Sequence, residues 1–268
     1  MLNSSKAIIS GLFFILVTFY LQAADIEKID PPYWFDCFEN DTLMLLLYGE
    51  NLENLQFKSC SRELKFLSLK PGEHGKNARL FLKIRKSGIS KLVFQSSGTS
   101  IKLNYEIKNT IKYNPQEINS SDVMYLLMPD RFADGDTNNN IIPENPDNVD
   151  KEHLWGRHGG DLSGVMSKLD YLKELGITSL WMTPVYDNAY QFAYHGYTPS
   201  NLFTVDPHFG NIKLYKTLID TLHKSGISII QDHIVNHISP SHPIALYPPD
   251  SLWLNGNLNN FHNCDYRI

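Results

Sequence analysis

The chain has 268 residues and a formal net charge of −5, with 42% hydrophobic and 20% charged residues. That length and composition suit a soluble globular protein of one large or two ordinary units, with enough apolar residues for a sizeable core. The acidic balance removes the electrostatic reason to expect a nucleic-acid partner.

In chain order, residues 1–24 read as a secretory signal. Lys6 supplies the positive charge, Ala7 to Leu21 an uncharged apolar run, and Ala23 and Ala24 the small residues of a cleavage site. The run is shorter than the ~20 residues that span a bilayer, and no basic cluster follows it. Cleavage is expected to leave no stable membrane span, with an uncleaved anchor as the lesser alternative, and the destination is periplasmic or extracellular. Export would permit a disulfide between Cys37 and Cys60. With Cys264 the cysteines number three, however, and unpaired buried thiols are the expected state.

Residues 25–108 are predicted to be an all-β unit. Leu43 to Tyr48 is a continuous apolar run, Leu80, Leu82 and Ile84 share one face, and Ile101, Leu103, Tyr105 and Ile107 oppose Lys102, Asn104 and Glu106. Turn-rich segments at 71–75 and 96–98 separate them, so a small β-sandwich is expected, with glycan binding, dimerisation or plain packing all open to it.

After the polar connector 109–122 the periodicity changes. Val123 to Met128, Ile177 to Met182 and Ile227 to Ile230 read as buried strands. Leu162 to Leu175 and Ile212 to Leu222 read as amphipathic helices stopped by Gly176 and Gly226. Strand and helix alternating at a repeat of about fifty residues indicates stacked βα units with parallel strands. A complete eight-stranded barrel takes ~250 residues. The expectation is therefore the first three units of an incomplete α/β (TIM-type) barrel over residues 109–268, ending in a loop region after the third strand.

Polar residues gather where those strands end. Gln231, Asp232, His233, Asn236 and His237 follow the third strand, the end of a βα-barrel at which loops converge on one axis. Tyr194-His195-Gly196-Tyr197 follows the second, where a ring could stack on a sugar face or pack over the barrel rim. Asp134-Gly135-Asp136-Thr137-Asn138-Asn139-Asn140 concentrates oxygen ligands suited to calcium, in residue types equally suited to a turn. It is not an EF-hand, because its sixth residue is Asn139 and its twelfth Asn145. His233 and His237 have the spacing of zinc-binding histidines, but Ile234 stands where the general base belongs, which leaves a zinc hydrolase weakly supported.

Five ordered motifs carry a resemblance. They are Met128–Asp136, Arg157–Asp161, Ala193–Tyr197, Val205–Gly210 and Asp232–His237, preceded by Pro31-Pro32-Tyr33-Trp34-Phe35. Together they resemble the α-amylase superfamily of glycoside hydrolases (family 13), in its neopullulanase/cyclomaltodextrinase-like branch. The resemblance implies an α-glucan partner (maltodextrin, cyclodextrin or pullulan) and calcium at Asp134, Asp136, Asn139, Asn140, the Gly159 carbonyl and Asp161. It implies that Tyr197 stacks under a glucose unit, that His195 and His237 hydrogen-bond it, that Asp232 holds the polar network and that Asn236 ties down the next loop. His233 departs from the pattern, standing where an apolar residue is usual. A homodimer through the N-terminal unit is also open. The retaining mechanism of this family needs two carboxylates at ~5 Å, which the pattern places beyond Ile268. The chain is accordingly expected to be the front of a longer protein, a sequence fragment or a decayed gene, and inactive alone. A non-catalytic calcium-stabilised glucan-binding protein is the alternative.

Overall fold

The computed structural model describes residues 22–38, 42–110, 117–143 and 145–254. Most of the signal segment, Cys264 and the last residues of the chain lie outside that set. The first part is a sandwich of eight strands among the described residues: β1 (Asp25–Asp30), β2 (Tyr33–Phe35), β3 (Thr42–Glu50), β4 (Gln56–Cys60), β5 (Leu64–Pro71), β6 (Asn77–Ile84), β7 (Gly88–Ser96) and β8 (Thr99–Lys108). One sheet runs β1-β3-β6-β5 and the other β2-β8-β7-β4. Their inner faces meet in a core of Leu43, Leu45, Leu47, Leu80, Leu82, Leu92, Phe94, Tyr105 and Ile107. Alternation in β6 and β8 places every second residue in this core, as a half-buried strand must. Cys37 and Cys60 are free thiols.

The unbroken apolar run of β3 has a second cause. Leu46 pairs with Arg79 and Tyr48 with Asn77, so these four residues share the sheet's outer face. That face meets the distant segment 242–250: Asn77 Nδ2 donates to the Tyr247 carbonyl at 2.6 Å, and Arg79 Nη1 to Asp250 Oδ2 at 2.5 Å. Leu46 and Tyr48 are consequently buried as well.

Among the described residues the second part is built on three parallel strands, β9 (Met124–Leu127), β10 (Ser179–Met182) and β13 (Ser228–Gln231), in the order β13-β10-β9. A short antiparallel pair, β11 (Tyr186–Asp187) and β12 (Asn201–Val205), stands in the loop after β10. The helices are the single turn α1 (Pro129–Phe132), then α2 (Leu162–Ser167), α3 (Leu169–Glu174), α4 (Ile212–Lys224) and the short α5 (Pro243–Leu246). Sandwich plus partial α/β barrel is therefore the architecture. Two details differ from the pattern in the sequence. The single helix expected over 162–175 is broken at Lys168, whose φ and ψ of −104° and 15° leave the helical region. The strands are also buried on one face only. Leu127, Leu180 and Met182 face the helices, while Met124, Leu126 and Trp181 on the opposite face are 46%, 59% and 37% exposed. Three strands are too few to curl over and cover their own inner face.

Candidate functional site

His195, Tyr197, Asp232 and His237, drawn from the loops after β10 and β13, come together in one network. The Tyr197 hydroxyl donates to Asp232 Oδ2 at 2.8 Å, and Trp181 Nε1 reaches the same oxygen at 3.3 Å. The Tyr197 amide donates to His195 Nδ1 at 2.9 Å, and His237 Nε2 donates to the Tyr197 carbonyl at 2.8 Å. Gly196 makes this turn possible. Its φ is +86°, and a Cβ there would lie 2.0 Å from the Pro184 carbonyl. The rings of His195 and Tyr197 are 5.8 Å apart at 26°. Tyr194 turns the other way, against the Arg131 guanidinium at 3.8 Å.

Protonation follows from these contacts. Burial first, and then the Arg157 charge, hold the His195 imidazole below its ordinary pKa. The ring is thus neutral near pH 7, and because Nδ1 accepts from Tyr197, the proton resides on Nε2. That N–H is the donor left for a ligand. The Tyr197 hydroxyl is pushed up to about 12, by burial first and then by Asp232, so it stays a donor throughout the physiological range. His237 spends its Nε2 proton on the Tyr197 carbonyl, and among the described residues the Asn236 side chain meets its neighbour His237, at 3.5 Å. The anchors of the following loop are Ser239 N to the Pro199 carbonyl at 2.9 Å and the buried His242. His233 bonds elsewhere. Its Nδ1 is 2.5 Å from the Tyr186 hydroxyl, which itself accepts from Gln231 Nε2 at 2.8 Å. The two histidines four apart lie on irregular chain and face different partners, so they do not form a zinc pair.

The oxygen-rich loop is organised by Asp161, fully buried at the N-cap of α2. Its carboxylate accepts from Gly135 N, Asp136 N, Asn139 Nδ2 and Gly164 N, at 3.2, 2.8, 3.0 and 2.6 Å. Asn140 Nδ2 donates to Asp134 Oδ2 at 2.9 Å. Asp136 Oδ1 accepts from Asn138, and Gly159, at φ +87°, lies against Asn140 Oδ1 and Asp134 Oδ2. Among the described residues no three His, Cys, Asp or Glu side chains gather as a metal-binding group. The amide oxygens are a different matter: Asn139 Oδ1 and Asn140 Oδ1 are both buried without a hydrogen-bond partner. A buried acceptor left unpaired is costly. Asn140 lies beside the Asp134 carboxylate and Asn139 beside that of Asp161, and oxygens of this hard kind are what calcium takes.

A cluster that sequence reasoning missed lies beneath the site. Arg157, fully buried, donates from Nε to Asp147 Oδ2 at 2.9 Å and from Nη2 to Asp206 Oδ2 at 2.8 Å. Burial alone would raise Asp206, but His208 and Arg157 outweigh it and hold the carboxyl below its ordinary value. Asp147 also accepts from Phe192 N at 2.8 Å and Ala193 N at 2.9 Å. Phe192 has a φ of 62°, a left-handed conformation that costs a bulky residue about 1–3 kcal/mol and persists only where its surroundings impose it. Arg157 and Asp206 stood within recognisable motifs, but nothing in the local pattern marked Asp147.

Residues 126–246 match the family model for the alpha amylase catalytic domain, and residues 28–110 match that for the cyclomaltodextrinase N-terminal domain. Over residues 126–246 the chain is similar to the α-amylase family. The chain is 37% identical over 134 residues to a beta/alpha-amylase of Paenibacillus polymyxa, a match that covers 48% of the chain and 11% of that protein. It is 38% identical over 119 residues to neopullulanase 2 of Thermoactinomyces vulgaris, covering 43% and 19% respectively. A solved Anoxybacillus alpha-amylase aligns at 38% identity with a TM-score of 0.42, over 46% of this chain and 25% of that one. The chain thus spans about a fifth or less of the length of these curated relatives.

Proposed function

We propose that the loops after β10 and β13 form the α-glucan-binding mouth of a retaining glycoside hydrolase, acting on maltodextrin, cyclodextrin or pullulan. We further propose that the 268 residues bind the sugar without cleaving it. The observation that carries this reading is the convergence of Tyr197, His195 and Asp232 at the C-terminal ends of parallel strands. It offers a partly exposed ring face for a glucose unit and a neutral Nε2–H donor from one turn of chain, with a carboxylate from the loop after β13 beside them. Retaining chemistry needs a nucleophilic carboxylate and a second carboxylic acid at ~5 Å from it. The carboxylates near this mouth have other work: Asp232 accepts from Tyr197 and Trp181, and Asp147 and Asp206 are held by Arg157.

Calcium fits as a resident ion bound by Asp134, Asp136, Asn139, Asn140 and the Gly159 carbonyl, with Asp161 shaping the loop around it. When bound, it would neutralise the loop's carboxylates and satisfy its orphaned amide oxygens. Residues 1–24 would direct export to the periplasm or outside the cell, which N-terminal sequencing of the secreted protein checks. The central test is titration with maltoheptaose together with an assay for new reducing ends. Binding that falls at least tenfold in Tyr197→Ala, with no turnover, is expected. Turnover by these residues would overturn binding without cleavage, and wild-type affinity for Tyr197→Ala would overturn the placement of the site. Chelation should lower the melting temperature, and an unchanged melting curve would exclude calcium.

A further inference from the structure

We propose that Asp147 is a positioning residue for the sugar-binding turn, acting through the backbone of Phe192 and Ala193 and held in place by Arg157. The proposal rests on the sugar-site reading above for its consequence, though not for its geometry. One carboxylate performs both tasks: Oδ1 accepts from Phe192 N at 2.8 Å, and Oδ2 from both Ala193 N and Arg157 Nε, each at 2.9 Å. Asp147 is 3% exposed and Arg157 0%, so water does not compete for these bonds. The guanidinium's other branch reaches Asp206, which follows β12 and whose amide donates to the Val185 carbonyl at 2.9 Å. A single buried cation therefore fixes the loop before α2, the turn carrying His195 and the end of β12 relative to one another.

The backbone at Phe192 shows what this clamp holds. Left to itself, a phenylalanine would leave φ 62° for the right-handed or extended region. The two adjacent amides are pinned by Asp147, and His195 and Tyr197 stand only three and five residues further on. Relaxation at Phe192 would swing the turn and move the His195 Nε2–H away from the Tyr197 ring face. Asparagine at position 147 keeps the volume but places an amide NH₂ where one acceptor oxygen stood, so a donor then faces a donor.

The test is Asp147→Asn in the full chain, read by amide hydrogen exchange, by the His195 ring resonances and by maltoheptaose titration. The Phe192 and Ala193 amides should exchange at least tenfold faster while the Leu82 and Leu92 amides of the sandwich keep their protection. The His195 resonances should shift, and maltoheptaose affinity should fall at least fivefold. Adding Phe192→Gly, which tolerates a positive φ without strain, should return the His195 resonances toward their wild-type positions. Unchanged Phe192 and Ala193 exchange, or unmoved His195 resonances, would overturn the proposal. If Asp147→Asn does not fold, the D147N/F192G double variant carries the test, since it should fold with near wild-type His195 resonances, and its failure to do so also overturns the clamp. A wild-type chain that ignores maltoheptaose defeats the sugar-site reading alone, because exchange and ring resonances still judge the positioning.

Discussion

In the sandwich, the largest fully buried side chains are Leu43, Leu45, Leu47, Leu52, Leu80, Leu82, Leu92, Phe94 and Ile107, with Tyr105 the polar exception. Around β9, β10 and β13 the buried set includes Asp130, Asp147, Arg157, Asp161, Asn188, Asp206 and His208. Both regions are closely packed, but the first is held by apolar area and the second adds interlocked charges and hydrogen bonds in its loops. Apolar burial is non-directional and indifferent to pH. Buried charges fix geometry, and they become a liability once one partner is removed. The region with the candidate site therefore gains defined loop positions and, with them, sensitivity to single changes.

The sharpest way to break this contrast is Arg157→Met. It strands two buried carboxylates and should cost about 3–5 kcal/mol. Amide exchange should rise around 147–160 and 190–197, with the sandwich core protected. Equal loosening of both halves would show that they unfold as one unit. Leu82→Ala is the mirror experiment. It removes a side chain with 0% exposure, should cost about 2–5 kcal/mol in urea unfolding, and should loosen the sandwich first.

Acidification sharpens the comparison with a smaller effect. His242 is held down to about 4, by burial first and then by Lys28, and His195 is lowered as well. Groups whose folded pKa lies below the unfolded value stabilise the fold above that unfolded value, ~6.5 for histidine. This contribution is lost as pH falls from there toward about 4. Asp187, raised by burial and by Asp206, opposes the trend only at the acidic end, where carboxylates titrate. Thermal scans should show the βα region, together with its join to the sandwich at His242, losing a few degrees between pH 7 and 5. The smallest effect belongs to the join between the halves. Arg79→Ala removes a partly exposed ion pair with Asp250 and should cost about 0–1 kcal/mol, read as slightly faster exchange near 242–250. A larger loss would mean that the two regions stabilise each other.

Much of the architecture was legible along the chain because its causes are local. Period-two alternation in β6 and β8, the helical spacing of Tyr215, Leu218 and Leu222, and the glycine stops at Gly176 and Gly226 each involve residues within one element. The polar cluster after β13 was legible too, since polar groups crowd where apolar strands end. The break at Lys168 was not, because the apolar spacing of Leu162, Val165, Leu169 and Leu172 runs through it unchanged.

What the sequence determined by itself, then, was the type of the main strands and helices and the polar clusters that follow them. Tertiary structure alone decided which of them bond to which. Asp147 and Arg157 lie ten residues apart, and Arg157 and Asp206 forty-nine apart, yet they share one guanidinium. His237 and the Tyr197 carbonyl are forty residues apart, and Arg79 and Asp250 lie 171 apart. Local pattern records the face on which a side chain lies. The partner it meets there depends on where the chain returns, and that is settled by the packing of the whole.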